Sequence, residues 1–452
     1  MRKATIFGIF MAIAVGPAFG QAAHPSLVPA TARTAPFAAS QPTATKPAAA
    51  STPDSRSAAM LATSTEPTFD EGTYARLKDA LLSYSGLQVR GGWPMLPADV
   101  KLAAGSTGPA VALLRQRLVI TEDLAADQER GDAYDGALEE GVKHFQLRHG
   151  LDPTGSVGPQ TLTALNVPIN KRLLQLAASL ERLAGMDFIF GQRYVVVNIP
   201  AAYTEAVAND KAERRYRVIV GKADKPSPTL TTMITSVNFN PTWTVPLSIT
   251  KNEIIAKMRK DPTYLSRMHM RVLGPNDSEI DPASIDWSSS RSPNFSIRQD
   301  SGTWNALGAV KIDMPNPYSV YMHDTNVRNL FTANYRFLSH GCTRVDNVRD
   351  LAAWLLEDTP GWSRPQIDAA IATGQRTDIR LTRKIPVAWV YLTGWVTRNG
   401  TIQFRDDVYD HDEDPVSPAS KGSALVAATD AGGFVRPRET REVKQVSNLD
   451  GR

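Results

Sequence analysis

The sequence predicts a multidomain α+β protein in which a mostly β region follows a helical region. Two observations support this fold class. Apolar residues recur at helical spacing between about residues 99 and 183, whereas short β-branched runs alternate with turn residues from Tyr194 onward. The roughly 350 residues between two low-complexity ends are enough for two or three compact units.

Residues 1–22 have the form of an export signal. Basic residues precede an apolar run from Ile6 to Val15, which is too short to span a bilayer, and small residues follow it. The alternative is an uncleaved membrane anchor. We expect cleavage, a location outside the cytoplasm, and no transmembrane segment in the mature chain.

Residues 23–67 and 411–452 are poor in large apolar side chains. We expect the first segment to be a disordered tether rich in Pro, Ala and Thr, and the second to be a disordered tail. The acidic run from Asp410 to Asp414 is interpreted as a solvated stretch and not as a metal site. The histidines are scattered without ligand spacing, so neither a metal nor another cofactor is expected.

The balance of charges limits the classes of partner. The formal net charge is +4, and the sequence has no basic run interleaved with aromatic residues. Nucleic acid is therefore not an expected partner. A mildly basic protein suits an anionic polymer, but this indication is weak by itself.

Residues 99–167 are predicted to hold three helices. The first follows a Gly-Pro turn, the second ends near Gly150, and the third spans Pro159 to Leu165. The apolar stripes of the first two helices are Val111, Leu114, Leu118, Leu138, Val142 and Phe145. Helical scaffold segments are expected on either side, at 68–98 and 168–191.

Residues 192–410 are expected to form the mostly β unit. The predicted strands are Tyr194–Ile199, Tyr216–Gly221, Thr231–Phe239, Val310–Met314 and Ser319–Met322, and the predicted helices are Lys251–Arg259 and Asp346–Leu356. Residues 249–298 mix helix with irregular sequence rich in Ser, Pro and Asp. We interpret this segment as an insertion between strands that forms a lid over a cleft.

Cys342 is the only cysteine of a chain that begins with an export signal. Exported proteins usually carry paired cysteines, so a lone thiol indicates either a nucleophile or a small buried hydrophobe. A nucleophilic thiol needs a base, and His323, at the end of a predicted strand, is the candidate. Gly341 makes the backbone flexible, so that the Gly341 and Cys342 amides would face one oxyanion.

Residues near Cys342 are candidates for contact with a substrate. Arg344 supplies a cation for a carboxylate or for the thiolate, and the alternative is an ion pair with Asp346. His340 either lines the cleft or only holds the turn. Tyr321 should share a strand face with His323, as a pocket wall or as core, and His323 is alternatively a core histidine.

Several motifs carry a family resemblance. They are His323, Ser339-His340-Gly341-Cys342-x-Arg344-Val345, Val218-Ile219-Val220-Gly221-Lys222, Phe239-Asn240-Pro241-Thr242-Trp243-x-Val245-Pro246, Asn305-Ala306-Leu307-Gly308-x-Val310-Lys311 and Tyr391-x-Thr393-x-Trp395-Val396. Together they resemble the L,D-transpeptidase catalytic domain of the YkuD type, in its large periplasmic subfamily. Residues 99–167 resemble the three-helix peptidoglycan-binding domain. Many smaller relatives carry Asn in place of Arg344.

The resemblance implies a periplasmic enzyme that acts on peptidoglycan stem peptides and glycan without a cofactor. Cys342, with His323 as base, would attack the third residue of a tetrapeptide stem and release D-Ala. Transfer of the acyl group to an amine of a neighbouring stem would give a cross-link, most simply of the 3→3 type. The resemblance also implies a catalytic Gly341, and substrate contacts from Arg344, His340, Tyr321, Ser339 and Asn305.

Other activities are alternatives at this point. Water as acceptor would give an L,D-carboxypeptidase, and other members of the family attach a lipoprotein. A sortase also combines His, Cys and Arg, but its Arg lies on a separate strand well after the Cys, unlike Arg344. The intact His323, Gly341 and Cys342 argue against a non-catalytic scaffold that only binds the cell wall.

Overall fold

The computed structural model describes residues 64–289 and 293–413. The predicted export signal, nearly all of the predicted tether and most of the predicted tail lie outside these ranges. Among the described residues, no helix is both long and apolar enough to cross a membrane.

Strands dominate the chain after residue 192. In chain order they are β1 (Arg193–Asn198), β2 (Tyr203–Ala208), β3 (Lys211–Gly221), β4 (Leu230–Phe239), β5 (Trp243–Thr244), β6 (Met270–Leu273), β7 (Glu279–Ile280), β8 (Ser296–Gln299), β9 (Val310–Asp313), β10 (Met322–His323), β11 (Phe337–Ser339), β12 (Thr343–Val345), β13 (Thr377–Val390), β14 (Gly394–Val396) and β15 (Ile402–Phe404). The α-helices are α1 (Thr73–Val89), α2 (Pro109–Ile120), α3 (Gly136–Arg148), α4 (Pro159–Leu165), α5 (Ile169–Ala184), α6 (Leu247–Ile249), α7 (Ile255–Lys260), α8 (Tyr264–Arg267), α9 (Val348–Leu355) and α10 (Arg364–Ala372).

Nine of these strands form one sheet, in the order β11-β3-β12-β10-β9-β4-β13-β1-β2. The last strand of this order, β2, also pairs with β3, the second strand, so the sheet closes on itself like a barrel. Alternate residues of each strand point inward, as the period of two requires. Val218, Val237, Ile312 and Val345 are among the fully buried residues of this interior, against which α9 also packs.

The predicted three-helix module is confirmed as α2, α3 and α4. Its stripe residues, from Val111 to Phe145, form a separate buried core with Leu162 and Leu165. The Asp135 side chain caps α3 by accepting the Leu138 amide at 2.9 Å, and both α2 and α4 begin with a proline.

The scaffold helices α1 and α5 pack against each other and against the outer side of β1 and β13. Leu77 and Leu176 share one core with Val196 and Val390 on the strands. The three-helix module adjoins the same region, because the His149 ring lies 3.8 Å from that of Phe145 and 5.6 Å from that of Phe404. The helical scaffold therefore belongs to the same folded body as the sheet.

The predicted insertion is a folded unit with its own sheet. β5, β8, β6 and β7 pair in that order, over a core that includes Ile254, Met258, Leu265, Val272 and Ile297. The unit starts after β4 and ends before β9, which are paired neighbours with Phe239 opposite Val310. The prediction of an insertion between strands is confirmed, although its strands were not predicted.

Some local predictions are wrong. The strand predicted at Ser319–Met322 is reduced to β10, because Ser319 has a φ of +56° in a turn. The acidic run after Asp410 is not simply solvated, because Asp412 is buried and accepts a hydrogen bond from Arg182 at 2.6 Å. The helix predicted at 251–259 begins as a π turn, Thr250–Ile254, before α7.

Candidate active site

Cys342 lies in a tight turn between β11 and β12. Gly341, just before it, has a φ of +110°, a conformation that favours glycine. A Cβ at this position would lie 3.5 Å from the Pro226 carbonyl oxygen, so the backbone conformation and not the available space requires glycine. The Ser339 hydroxyl donates to the Cys342 carbonyl at 2.5 Å and accepts the Gly341 amide at 3.1 Å. These bonds hold the turn that presents the thiol.

The backbone amides of the turn differ in their availability. The Gly341 amide donates a hydrogen bond to the Ser339 hydroxyl, whereas the Cys342 amide donates no hydrogen bond within the described part of the chain. The expectation that both amides face one oxyanion is therefore wrong in this conformation. The Cys342 amide alone is free to donate to an oxyanion.

His323 lies on β10, between β9 and β12. Its Cα partners are Lys311 on β9 and Arg344 on β12. Partnered positions share a face of a sheet. Cys342 directly precedes β12, and both Lys311 and Arg344 act electrostatically on its thiol. The His323 Nδ1 lies 2.5 Å from the Asp324 carbonyl oxygen, which assigns the proton to Nδ1 and leaves the Nε2 lone pair free.

The electrostatic surroundings favour the uncharged forms of both groups. Burial, together with the cations of Arg344 and Lys311, lowers the pKa of His323 to about 3. Burial raises the pKa of Cys342, against the opposing effects of the Tyr321 backbone and the same two cations. The resting pair is therefore a neutral thiol and a neutral imidazole, which is the state in which His323 can act as a general base.

Arg344 is a half-buried cation without a carboxylate within ion-pair distance among the described residues. Burial lowers the pKa of its guanidinium, and the neighbouring Cys342 raises it. The alternative ion pair with Asp346 is not formed among the described residues; that carboxylate accepts the Asn347 amide at 2.9 Å. Lys311 differs from Arg344 because it is ion-paired with Asp313. An unpaired and partly desolvated guanidinium suits a carboxylate of a bound substrate.

Tyr321 lies beside His323 and Lys311. Its ring lies 5.6 Å from that of His323 and 4.7 Å from the Lys311 Nζ. Burial raises the pKa of its hydroxyl, and Trp243, at the start of the insertion, lowers it by a smaller amount. Tyr321 also packs against the barrel core, so both alternatives, a pocket wall and a core residue, stay predictions.

His340 connects the turn to the insertion. Its Nε2 lies 2.6 Å from Glu253 Oε1, in the π turn of the insertion. Glu253 also lies 3.9 Å from Lys257. The insertion thus sits beside the turn that carries Cys342, the position expected of a lid.

Two predicted substrate contacts are placed elsewhere. Ser339 is buried, and both of its hydrogen bonds are made inside the turn. Asn305 is fully buried, and its amide donates to the carbonyls of Pro241 at 3.1 Å and Asp300 at 2.8 Å. These side chains shape the site from behind, which corrects the expectation that they contact a substrate.

Sequence reasoning gave no role to Lys311, Glu253 or Ser227. Lys311 stands in one of the quoted motifs, and its alternation with Asp313 on a predicted strand was a usable signal. Glu253 and Ser227 lie in turns whose packing depends on distant residues. Nothing local in the sequence marks them.

Family models match two parts of the chain. Residues 192–362 match the YkuD model, described as "L,D-transpeptidase catalytic domain", and residues 107–165 match PG_binding_1, described as "Putative peptidoglycan binding domain". The first match contains His323, Gly341, Cys342 and Arg344. The second corresponds to the three-helix module.

A curated relative supports the same assignment. A Haemophilus influenzae protein named "Putative L,D-transpeptidase" is 33% identical over 241 residues, which cover 53% of this chain and 48% of the relative. The matched part of this chain therefore spans about half of that relative.

Solved structures give only partial superpositions. An L,D-transpeptidase from Mycobacterium smegmatis has a TM-score of 0.22 at 14% identity, with coverage of 44% of this chain and 58% of the other. An L,D-transpeptidase from Stackebrandtia nassauensis has a TM-score of 0.24 at 12% identity, with coverage of 66% and 96%. The assignment rests on the sequence matches and not on these superpositions.

Proposed function

We propose that this chain acts on peptidoglycan by acyl transfer through Cys342, because residues 192–362 match the L,D-transpeptidase catalytic domain and residues 107–165 match a peptidoglycan-binding domain. The observation that carries the proposal is the arrangement at β10 and β12. A lone cysteine directly precedes the strand whose Arg344 is the cross-strand neighbour of a neutral histidine, and Arg344, which has no ion pair among the described residues, acts electrostatically on both groups.

The first half-reaction acylates the thiol. His323 Nε2 takes the Cys342 proton as the sulfur attacks the carbonyl carbon of the third residue of a donor stem. The oxyanion of the tetrahedral intermediate accepts the free Cys342 amide. The C–N bond to the terminal D-Ala then breaks, and the imidazolium returns its proton to the leaving amine, which leaves a thioester on Cys342.

The second half-reaction releases the enzyme. An amine of a neighbouring stem attacks the thioester carbonyl, His323 takes the amine proton, and the sulfur leaves and recovers a proton from the imidazolium. The product is a peptide bond between stems, most simply a 3→3 cross-link. Arg344 would hold a stem carboxylate during these steps, since that guanidinium has a charge to neutralise.

The three-helix module would bring the catalytic domain to its polymer. It holds none of the residues of the Cys342–His323 pair, and tethering to the wall would raise the concentration of stems near the thiol. An enzyme with this substrate works outside the cytoplasm, so export to the periplasm by residues 1–22 is part of the proposal.

The proposal is tested first by covalent labelling. Incubation with a carbapenem should add one adduct to the intact mass of the wild type and none to Cys342→Ala. The chain has one cysteine, so the adduct needs no further mapping. A wild type that stays unlabelled while its thiol remains reactive to alkylation would instead favour a scaffold that only binds the wall.

The acceptor is identified by mass spectrometry of muropeptides after incubation of the protein with purified sacculi. Dimers joined through two third-position residues are the expected product. Tripeptides without dimers would identify an L,D-carboxypeptidase. A stem joined to a lipoprotein would identify an attaching transpeptidase.

A further inference from the structure

The loop after β3 folds tightly against Gly221. A Cβ on this glycine would lie 2.3 Å from the Lys225 carbonyl oxygen and 2.5 Å from the Ser227 amide nitrogen, so only glycine fits. The Gly221 amide donates to the Ser227 hydroxyl at 2.9 Å. Ser227 is thereby fixed at the end of β3, beside the partnered strand β11 that leads into the nucleophile turn.

Ser227 reaches the nucleophile turn directly. Its hydroxyl is buried and donates to the Gly341 carbonyl at 2.7 Å. That carbonyl and the Cys342 amide belong to one planar trans peptide, in which the C=O and N–H bonds point in opposite directions. The bond from Ser227 therefore sets the direction of the Cys342 N–H, the free amide of the turn.

Tyr409 is hydrogen-bonded to the backbone of Ser227 and of Gly221. The Tyr409 hydroxyl donates to the Gly221 carbonyl and accepts the Ser227 amide at 3.3 Å. Burial raises the pKa of Tyr409 to about 12, so the hydroxyl keeps its proton at neutral pH. Its ring also packs edge-on against Phe337 of β11, with ring centroids 6.0 Å apart.

Tyr409 belongs to a segment that is hydrogen-bonded near both of its ends to α5 of the helical scaffold. We name residues Arg405–Glu413 the downstream strap. Gln175 of α5 donates to the Arg405 carbonyl at 2.8 Å, and Arg182 of α5 donates to Asp412 at 2.6 Å. The Tyr409 amide donates at 2.8 Å to the hydroxyl of Tyr391, which directly follows β13. These bonds fix the position of Tyr409. In the sequence Tyr409 lies well after Cys342, outside the residues matched by the catalytic-domain model.

We propose that Ser227 and Tyr409 are positioning residues that aim the Cys342 amide at the oxyanion of the acyl-transfer reaction. The inference rests on the proposed function, because an oxyanion forms only if Cys342 attacks a carbonyl. Ser227 acts on the peptide between Gly341 and Cys342, and Tyr409 acts through Gly221 and Ser227. Neither side chain touches the reacting atoms.

Two reactions of the same thiol separate this role from a structural one. Acylation by a carbapenem passes through a tetrahedral oxyanion, whereas alkylation by iodoacetamide displaces iodide at a saturated carbon and forms no oxyanion. Full-length Ser227→Ala and Tyr409→Phe should acylate about tenfold to hundredfold more slowly than wild type, because a misaimed donor loses part of the oxyanion stabilisation. Their alkylation rates should stay within about twofold of wild type, since the thiol and His323 are unchanged.

A matched control and a double variant sharpen the test. Tyr335→Phe removes a hydroxyl from a ring that also packs on Phe337, at 5.4 Å, but whose hydroxyl has no hydrogen-bond partner among the described residues. It should acylate like wild type. If both residues act through one carbonyl, Ser227→Ala/Tyr409→Phe should lose less than the product of the single losses.

The outcomes are distinct. Equal slowing of acylation and alkylation would mean that the turn has collapsed, and would overturn the proposed role. Unchanged acylation in both variants would overturn it as well. A wild type that is alkylated but never acylated would refute the proposed acyl transfer itself, and this inference with it.

Discussion

His323 and Arg344 are direct partners across the parallel strands β10 and β12. This pairing fixes a guanidinium beside the imidazole on the same face of the sheet. With burial as the larger cause, Arg344 keeps the pKa of His323 near 3, and the histidine of the folded protein is neutral at ordinary pH. In the proposed mechanism, Arg344 would thus favour the form of His323 that accepts a proton, in addition to offering a charge to the substrate.

The pH dependence of thiol alkylation should report a neutral pair. Burial raises the pKa of Cys342 while that of His323 is lowered, so little thiolate exists at neutral pH. The iodoacetamide rate should climb with pH through a limb above the ordinary cysteine pKa of about 8.5. A plateau that already begins in weakly acidic buffer would show a preformed thiolate–imidazolium pair, contrary to this prediction.

His323→Ala should slow acylation of Cys342 by about 10²–10⁴-fold, the usual contribution of a general acid–base group. Stopped-flow measurement of carbapenem acylation checks the rate, with His269→Ala as a control at a histidine of the insertion stacked on Trp304. Normal acylation without His323 would move the base role to another residue, with His340 the first to examine.

Arg344→Lys should keep the charge but lose the planar fork that grips a carboxylate. We expect kcat/KM for a tetrapeptide donor to fall about tenfold, in line with the loss of a charge-assisted hydrogen bond. Arg349→Lys is the matched control, because Arg349 is ion-paired with Asp368 at 3.0 Å on the surface. Equal rates for Lys and Arg at position 344 would reduce its role to simple electrostatics.

Glu253→Gln should loosen the contact between the insertion and the nucleophile turn. The change removes the charge that faces His340 at 2.6 Å but keeps the shape of the side chain. Cross-linking of large stem substrates should fall severalfold, while acylation by a small carbapenem should change little. The reason is that only the larger substrate is expected to need the insertion closed over the cleft. Glu279→Gln, exposed elsewhere in the insertion, is the control. Equal losses for both substrates would contradict a role in covering the cleft.

Acid should destabilise the junction of the three-helix module and the scaffold. Burial, with Arg148 and Arg172 nearby, lowers the pKa of His149 well below its ordinary 6.5. The unfolded chain binds a proton near pH 6.5 and the folded chain does not, so stability is full above that pH and declines as pH falls below it. Melting curves at pH 7.5 and 5 should show a smaller acid loss for His149→Gln than for wild type. The exposed His411→Gln should lose as much as wild type, and identical losses in all three proteins would contradict the prediction.

Local elements could be predicted from the sequence better than the contacts between them. The position of Cys342 and the helical stripes depend on local signals, and the structure has the corresponding turn and helices. Ser339 and Asn305 were assigned to the substrate because they stand in the motifs. A motif does not show which way a side chain points. In the structure, both side chains donate hydrogen bonds to backbone carbonyl oxygens.

Contacts over long sequence distances were beyond prediction. The bond between Ser227 and Gly341 spans 114 residues, and the one between Tyr409 and Gly221 spans 188. Such pairs arise from the order of strands in the sheet, which no local periodicity encodes. The acidic run after Asp410 was misinterpreted for the same reason, since Arg182 lies far away in the chain.

The insertion leaves and re-enters the sheet at a single place, because Phe239 and Val310 face each other on neighbouring strands. A segment with such closely spaced ends can be lengthened, shortened or exchanged without disturbing the strand register on either side. Its core is also separate from that of the barrel. Under the proposed function, the residues that react and the segment beside them lie on parts of the chain with separate cores, so the insertion could change while Cys342, His323 and Arg344 stay fixed.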